Sequence, residues 1–181
     1  MNTVDPIRDY GKLKDIEEYL KRTSERNWLL FITGTNTALR ISDILPLRVR
    51  DVRNKQTLTI KLEKTEKVHT IQLNKKLRKA FRAYCKDKPP DEYVFKSRIG
   101  KNSHIKRGQA YNIINETCLM FGLDNIGTHT LRKTYGYHFY EHTKDVATLQ
   151  AILGHRSPTE TLIYIGKHQE SVNKSMNSFE L

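Results

Sequence analysis

Apolar residues at Leu13, Ile16, Tyr19 and Leu20 step by three and four positions from Lys12 onward, the spacing of one buried face on an amphipathic helix. A second apolar segment from Trp28 to Ile32 predicts another helix, which Gly34-Thr35-Asn36-Thr37 should end. Ser42 then offers an N-cap to a short helix through Asp43-Ile44-Leu45, stopped by Pro46. Residues 1–11 carry no such pattern and read as a loose lead-in to a core over residues 12–166. After Arg48 the period falls to two: Leu58, Ile60 and Leu62 alternate with Thr59 and Lys61, and a second β-rich run covers Val68 to Leu73. The polar stretch Glu63 to Glu66 between them predicts a hairpin whose loop exposes Lys64.

Helical spacing returns at Leu77, Ala80, Phe81 and Tyr84 and should end before Pro89-Pro90, with a short strand or turn at Tyr93-Val94-Phe95. Further helices are expected from Tyr111 to Gly122, from His129 to His142 and from Val146 to Leu153, the last closed by Gly154. Ser157-Pro158-Thr159-Glu160 combines an N-cap serine, a first-turn proline and a glutamate three residues after the cap, a capping box that opens one more helix. No linker, repeat or low-complexity tract divides the chain, so residues 1–181 read as a single unit. The expected fold class is α+β, mainly α with a small antiparallel hairpin.

Composition narrows the partners. The longest purely apolar run, Trp28 to Ile32, falls far short of the ~20 residues a membrane span needs, so no membrane partner is expected. With no apolar signal region at the N-terminus, a cytoplasmic protein is expected. Cys85 and Cys118 form no C-x-x-C unit, which fits a reducing compartment and argues against a zinc site. The net charge is +12, from 32 Lys and Arg against 20 Asp and Glu. Its distribution matters more. Residues 48–107 hold 19 Lys and Arg against 6 Asp and Glu, a surplus of +13, whereas the rest of the chain holds 13 against 14. A basic face of this kind fits a polyanion, with Arg48, Lys75, Lys76, Lys79, Lys106 and Arg107 as candidate contacts to a nucleic-acid backbone; a merely solvated lysine-rich surface is the bland alternative.

Four fragments carry candidate chemistry: Ala38-Leu39-Arg40-Ile41-Ser42-Asp43, the hairpin Lys64-Thr65, His129-Thr130-Leu131-Arg132, and Leu153-Gly154-His155 followed nine positions later by Tyr164. Each is weak alone, since an arginine near a helix end is commonly a solvated residue and a hairpin lysine an edge charge. In this order and spacing they resemble the catalytic domain of the tyrosine recombinase (phage integrase) family, over residues 12–166. Physical chemistry fits that likeness. Phosphodiester cleavage needs charge neutralised on the phosphoryl oxygens, which Arg40 and Arg132 can do bidentately, and His129 shares a helix face and N-terminus with Arg132.

The resemblance implies a site-specific recombinase, or integrase, that cleaves duplex DNA through a 3′-phosphotyrosyl intermediate on Tyr164 and rejoins it. It implies Lys64 as acid for the leaving 5′-oxygen, His129 as an aid to proton transfer, His155 as a hydrogen-bond donor to the phosphate and Asp43 as an orienting group. No cofactor and no metal are implied, and self-association into a synapse on DNA is. The N-terminal DNA-binding domain of most members has no counterpart before residue 12, so the likeness implies its absence. The tail 167–181, with Val172, Met176 and Phe179 on one stripe, could dock on a partner protomer. A type IB topoisomerase-like relaxing enzyme and a catalytically idle DNA-binding regulator are the rival readings. His138 and His142, four apart, read as a surface pair rather than metal ligands.

Overall fold

The computed structural model describes residues 4–61, 68–168, 173 and 176–179. Among these the chain forms α1 (Tyr10–Thr23), α2 (Glu25–Thr37), α3 (Ile41–Ile44), α4 (Val49–Val52), β1 (Thr57–Lys61), β2 (Val68–Gln72), α5 (Lys75–Tyr84), α6 (Arg107–Met120), α7 (Thr130–Thr143), α8 (Val146–Leu153) and α9 (Pro158–Tyr164). The α+β expectation holds: helices surround one two-stranded antiparallel sheet. Its register pairs Thr57 with Gln72 and Lys61 with Val68. The predicted loop residue Lys64 and the end of the first predicted strand, Leu62, lie outside the described residues.

The centre of the fold is α2, packed against α1, α5 and α7. Residues Leu29 to Gly34 are all buried. Contrary to expectation, Gly34-Thr35-Asn36-Thr37 does not end this helix. The Thr33 and Thr37 hydroxyls donate to the carbonyls of Leu29 and Thr33, each at 2.7 Å, so these polar side chains are satisfied within the helix while buried. Gly34 is a packing residue, because a Cβ there would lie 2.8 Å from Leu131 Cβ and 2.5 Å from its Cδ1. The helix closes at Ala38, a left-handed residue with φ 57°, which turns the chain so that Arg40, not Ser42, is the N-cap of α3. The sequence pattern also gave no sign of α4, whose start is closed by Asp51 Oδ2 accepting from Arg48 N at 2.8 Å. Segment 90–94 runs along residues 47–50, with Val94 N donating to Leu47 O and Val49 N to Glu92 O, both at 2.9 Å. This explains the short Tyr93-Val94-Phe95 signal.

The described part of the lead-in, residues 4–11, is not loose. Helix α1 begins at Tyr10, capped by Asp9, whose Oδ1 accepts from Gly11 N at 2.7 Å. Ile7 is fully buried; its N–H donates to Thr134 Oγ1 and its carbonyl pairs with His138 Nε2, both at 2.9 Å. His138 is thus a tether for the N-terminal strap rather than half of a surface pair. A low apolar count hid this: one buried isoleucine and two main-chain hydrogen bonds leave no periodic trace.

Gly136 brings α7 close to Ile165, whose Cγ2 would be 2.8 Å from a Cβ at that position. Ile165 joins Ala38, Leu149 and Leu153 in a small second core beneath α8 and α9. The capping box at Ser157 forms only in part. Ser157 Oγ accepts from Glu160 N at 3.1 Å, but Glu160 Oε2 accepts from Arg156 N, at 2.8 Å, instead of from the cap residue itself.

Gly34→Ala should lower stability by about 1–3 kcal/mol despite the better helix propensity of alanine, because the Leu131 Cβ it meets cannot rotate away. Urea denaturation checks this, and an unchanged midpoint would contradict the close packing of α2 on α7.

Candidate active site

Helix ends converge at the site. Arg40 stands at the N-cap of α3, His129 at the N-cap of α7, and Arg132 one turn into α7. Arg132 is only 6% exposed, and its Nη2 donates at 2.7 Å to the carbonyl of Leu153, the last residue of α8. A helix C-terminus leaves its final carbonyls without helical partners and carries partial negative charge, so a guanidinium is well matched there. Gly154, at φ 66°, takes the left-handed turn that ends α8 and starts the chain toward His155. Burial disfavours the Arg132 charge, and nearby Tyr164 and Asp43 offset part of that cost. Arg40 and Arg132 share the walls of a cleft of about 660 Å³ with His69 to Gln72 of β2 and Ala151 to Gly154 of α8.

Tyr164 is the last residue of α9. Its Oη is buried and makes no hydrogen bond of good geometry. Burial pushes its pKa up, and Arg132 and Arg40 pull against that rise. The phenol is therefore protonated at neutral pH. Its ring packs edge-on to the His155 ring, with centroids 4.9 Å apart, and the Lys133 ammonium lies 5.2 Å from the tyrosine ring centroid. Lys133 escaped the sequence reading; its place beside Arg132 on α7 was the available signal.

The imidazoles are set differently. His155 Nδ1 lies 3.1 Å from Thr161 Oγ1, whose single proton is directed at the Ser157 carbonyl at 3.2 Å. That network leaves Nδ1–H as donor and Nε2 without a proton in the neutral ring. Partial burial, then the positive charge of Arg132 and Arg40, lowers the His155 pKa, against the pull of Glu160. His129 is more accessible, yet partial desolvation and the cations Arg107, Arg132, Arg40 and Lys133 lower its pKa as well. Asp43 is 5% exposed in α3 and lines a separate hollow with Lys61, His104, Lys106 and Arg107.

The structure thus brings Arg40 and Arg132 to one cleft, with His155 and Tyr164 within electrostatic reach of both, while Asp43 and His129 line two separate hollows; Lys64 lies outside the described residues. The basic residues separate into groups. Lys106 and Arg107 open α6 next to Asp43 and His129. Arg48 donates to Asp91 O and Tyr93 Oη, and Lys76 pairs with Glu17 on α1. Lys79 lies with Lys76 in a hollow beside Trp28, and Lys75 is exposed in the first turn of α5. Among the described residues no group of three or more His, Cys, Asp or Glu could hold a metal ion, and no helix is long and apolar enough to cross a membrane. Such a site can hold one phosphoryl group between two guanidinium groups, with a phenol oxygen buried within their electrostatic reach.

Comparison with known proteins agrees. The model of the phage integrase family matches residues 9–171. The chain is 46% identical over 179 residues to a probable integrase/recombinase, YoeC, of Bacillus subtilis (strain 168), covering 99% of this chain and 98% of that protein. It is 26% identical to the tyrosine recombinase XerA of Pyrococcus furiosus, covering 93% of this chain and 61% of the relative. Among solved structures, a XerA recombinase matches with a TM-score of 0.76 at 18% identity, over 98% of this chain and 65% of that one. A XerH recombinase bound to its difH substrate after cleavage matches with a TM-score of 0.71 at 20% identity, over 97% and 53%. The fold is that of a tyrosine recombinase catalytic domain. The chain belongs to the phage integrase family, the tyrosine recombinases.

Because both imidazoles titrate low in the folded protein, the unfolded chain binds protons more readily just below about pH 6.5. Their contribution to stability is complete above that value and is lost as pH falls through the folded pKa values. NMR titration should find both midpoints below about 6.5, and added inorganic phosphate should raise them. A midpoint at or above 6.5 for His155 in the free protein would contradict its burial against Tyr164.

Proposed function

We propose that this recombinase acts on duplex DNA at a specific site, with Tyr164 as nucleophile. The observation that carries the reading is the placement of the Tyr164 Oη, buried and within electrostatic reach of Arg132 and Arg40, beside a cleft that both arginines line. Tyr164 Oη attacks the phosphorus as its proton passes to the neutral His129 imidazole, and the bond to the 5′-oxygen breaks, leaving a 3′-phosphotyrosine and, once that oxygen is protonated, a 5′-hydroxyl. Arg40 and Arg132 hold the non-bridging oxygens as charge builds in the transition state. Lys64, carried by the hairpin, gives the leaving oxygen its proton. His155, protonated at Nε2 as the arriving phosphate raises its pKa, donates to the phosphate, His129 aids proton transfer and Asp43 orients the arginines. A second 5′-hydroxyl then reverses the attack, and the phosphotyrosine conserves the energy for resealing.

Duplex DNA as partner draws support from the solved relatives, among them XerH with difH before and after cleavage and the Tn1549 transposon integrase with circular intermediate DNA. Lys75, Lys106 and Arg107, all exposed, then bear on the phosphate backbone, together with Arg48, Lys76 and Lys79. Strand exchange needs protomers paired on DNA. The exposed Met176 and Phe179 fit a tail that docks on a neighbour, while Val172 of the same stripe lies outside the described residues. Two buried free thiols and a DNA substrate fit the cytoplasm.

A duplex nicked near the cleavage site, so that the 5′ fragment escapes, should trap a denaturation-resistant protein–DNA adduct that Tyr164→Phe abolishes. Persistence of the adduct in that variant would sink the nucleophile assignment. Lys64→Ala should slow cleavage by roughly 10²–10⁴-fold on ordinary DNA, yet recover on a substrate with a bridging 5′-sulfur, whose thiolate leaves without a proton. Equal loss on both substrates would remove Lys64 from the acid role. Relaxation of supercoiled DNA by a monomer at any sequence would favour the topoisomerase-like reading.

A further inference from the structure

The N-terminal strap meets the proposed nucleophile's helix at a specific point. Ile7 is pinned by its own main chain to Thr134 and His138, one turn apart on α7. The next residue, Arg8, reaches from this anchor to the far end of α9, where its Nη2 donates to the carbonyl of Gly166 at 3.2 Å. Its guanidinium also lies 5.4 Å from the Tyr137 ring centroid, and the Lys167 ammonium 4.8 Å from the same centroid.

The turn that Arg8 touches is the one that ends the tyrosine helix. Gly166 N donates to Ile163 O at 3.1 Å and Lys167 N to Leu162 O at 2.8 Å, with Gly166 at φ 72°. This is a Schellman closure, and Tyr164 is the last helical residue before it. Ile165, between tyrosine and glycine, is buried in the slot that Gly136 leaves open on α7. The positive φ of the turn calls for glycine at 166, and the Arg8 Nη2 lies close over it, 2.7 Å from where a Cβ would stand.

We propose that Arg8 is a positioning residue for the cleavage reaction: by holding the Gly166 carbonyl against the Ile7 anchor on α7, it fixes the end of α9 and so sets Tyr164 relative to Arg132. This rests on the reading of Tyr164 as nucleophile. Arg8 acts through the turn that ends α9.

The test is single-turnover cleavage of the nicked duplex by the full chain, with rate constant, reacting fraction and DNA affinity measured separately. Arg8→Ala should lower the rate constant about tenfold or more, in line with the cost of a sub-ångström to ångström misplacement, while affinity and reacting fraction hold. Arg8→Lys should recover most of the rate by donating to the same carbonyl. A wild-type rate constant in Arg8→Ala would overturn the proposal, as would a loss confined to the reacting fraction or to affinity, which marks a structural role only. Tyr164→Phe run alongside keeps the two readings apart. An adduct that survives in it defeats the nucleophile assignment, whereas its loss with full activity in Arg8→Ala defeats only the role of Arg8.

Discussion

A buried guanidinium bound to the end of a helix is the constraint on which this structure turns. Arg132 lies almost out of solvent, and without the Leu153 carbonyl it would be a charge deprived of water with little to replace it. Meeting that need fixes the distance between α7 and the C-terminus of α8. It thereby places Gly154, His155 and the start of α9, because each follows within a few residues of the anchored carbonyl. Removing the arginine would therefore disturb the register of three helices as well as the charge of the cleft.

Two close approaches make that geometry rigid. Gly34 lets α2 sit directly on Leu131, one residue before Arg132, and Gly136 admits Ile165, one residue after Tyr164. Each glycine packs against a residue that is one position from a residue of the candidate site. Interiors packed at such distances transmit displacement rather than absorb it, so the cleft inherits its precision from the core. The cleft is also poised electrostatically. It gathers cations around imidazoles that are neutral at rest and a phenol that burial keeps protonated, and an arriving dianionic or monoanionic phosphate would shift all of these groups together.

Most helices were legible because each buries one stripe against the core, and the hairpin because its period is two. The site fragments were legible as an ordered set, since Arg40, His129, Arg132, His155 and Tyr164 each sit at or near a helix end where cap residues mark the chain. What sequence concealed has a common physical cause. Gly34 and the threonines after it look like a helix stop, yet the hydroxyls are satisfied by the preceding turn, and only the partner helix reveals why glycine is there. Four-residue helices such as α4 are too short to show a period. The strap holds by main-chain hydrogen bonds, which no side-chain pattern encodes.

The strap has a consequence for how the protein comes into being. Its contacts join residues 127 and 158 positions apart, Ile7 to Thr134 and Arg8 to Gly166. On a ribosome the early segment emerges long before its partners exist, and closing loops of that length is entropically slow. The tyrosine end of this fold is thus completed only by clasping residues made more than a hundred positions earlier, so a chain halted before Gly166 lacks the finished site.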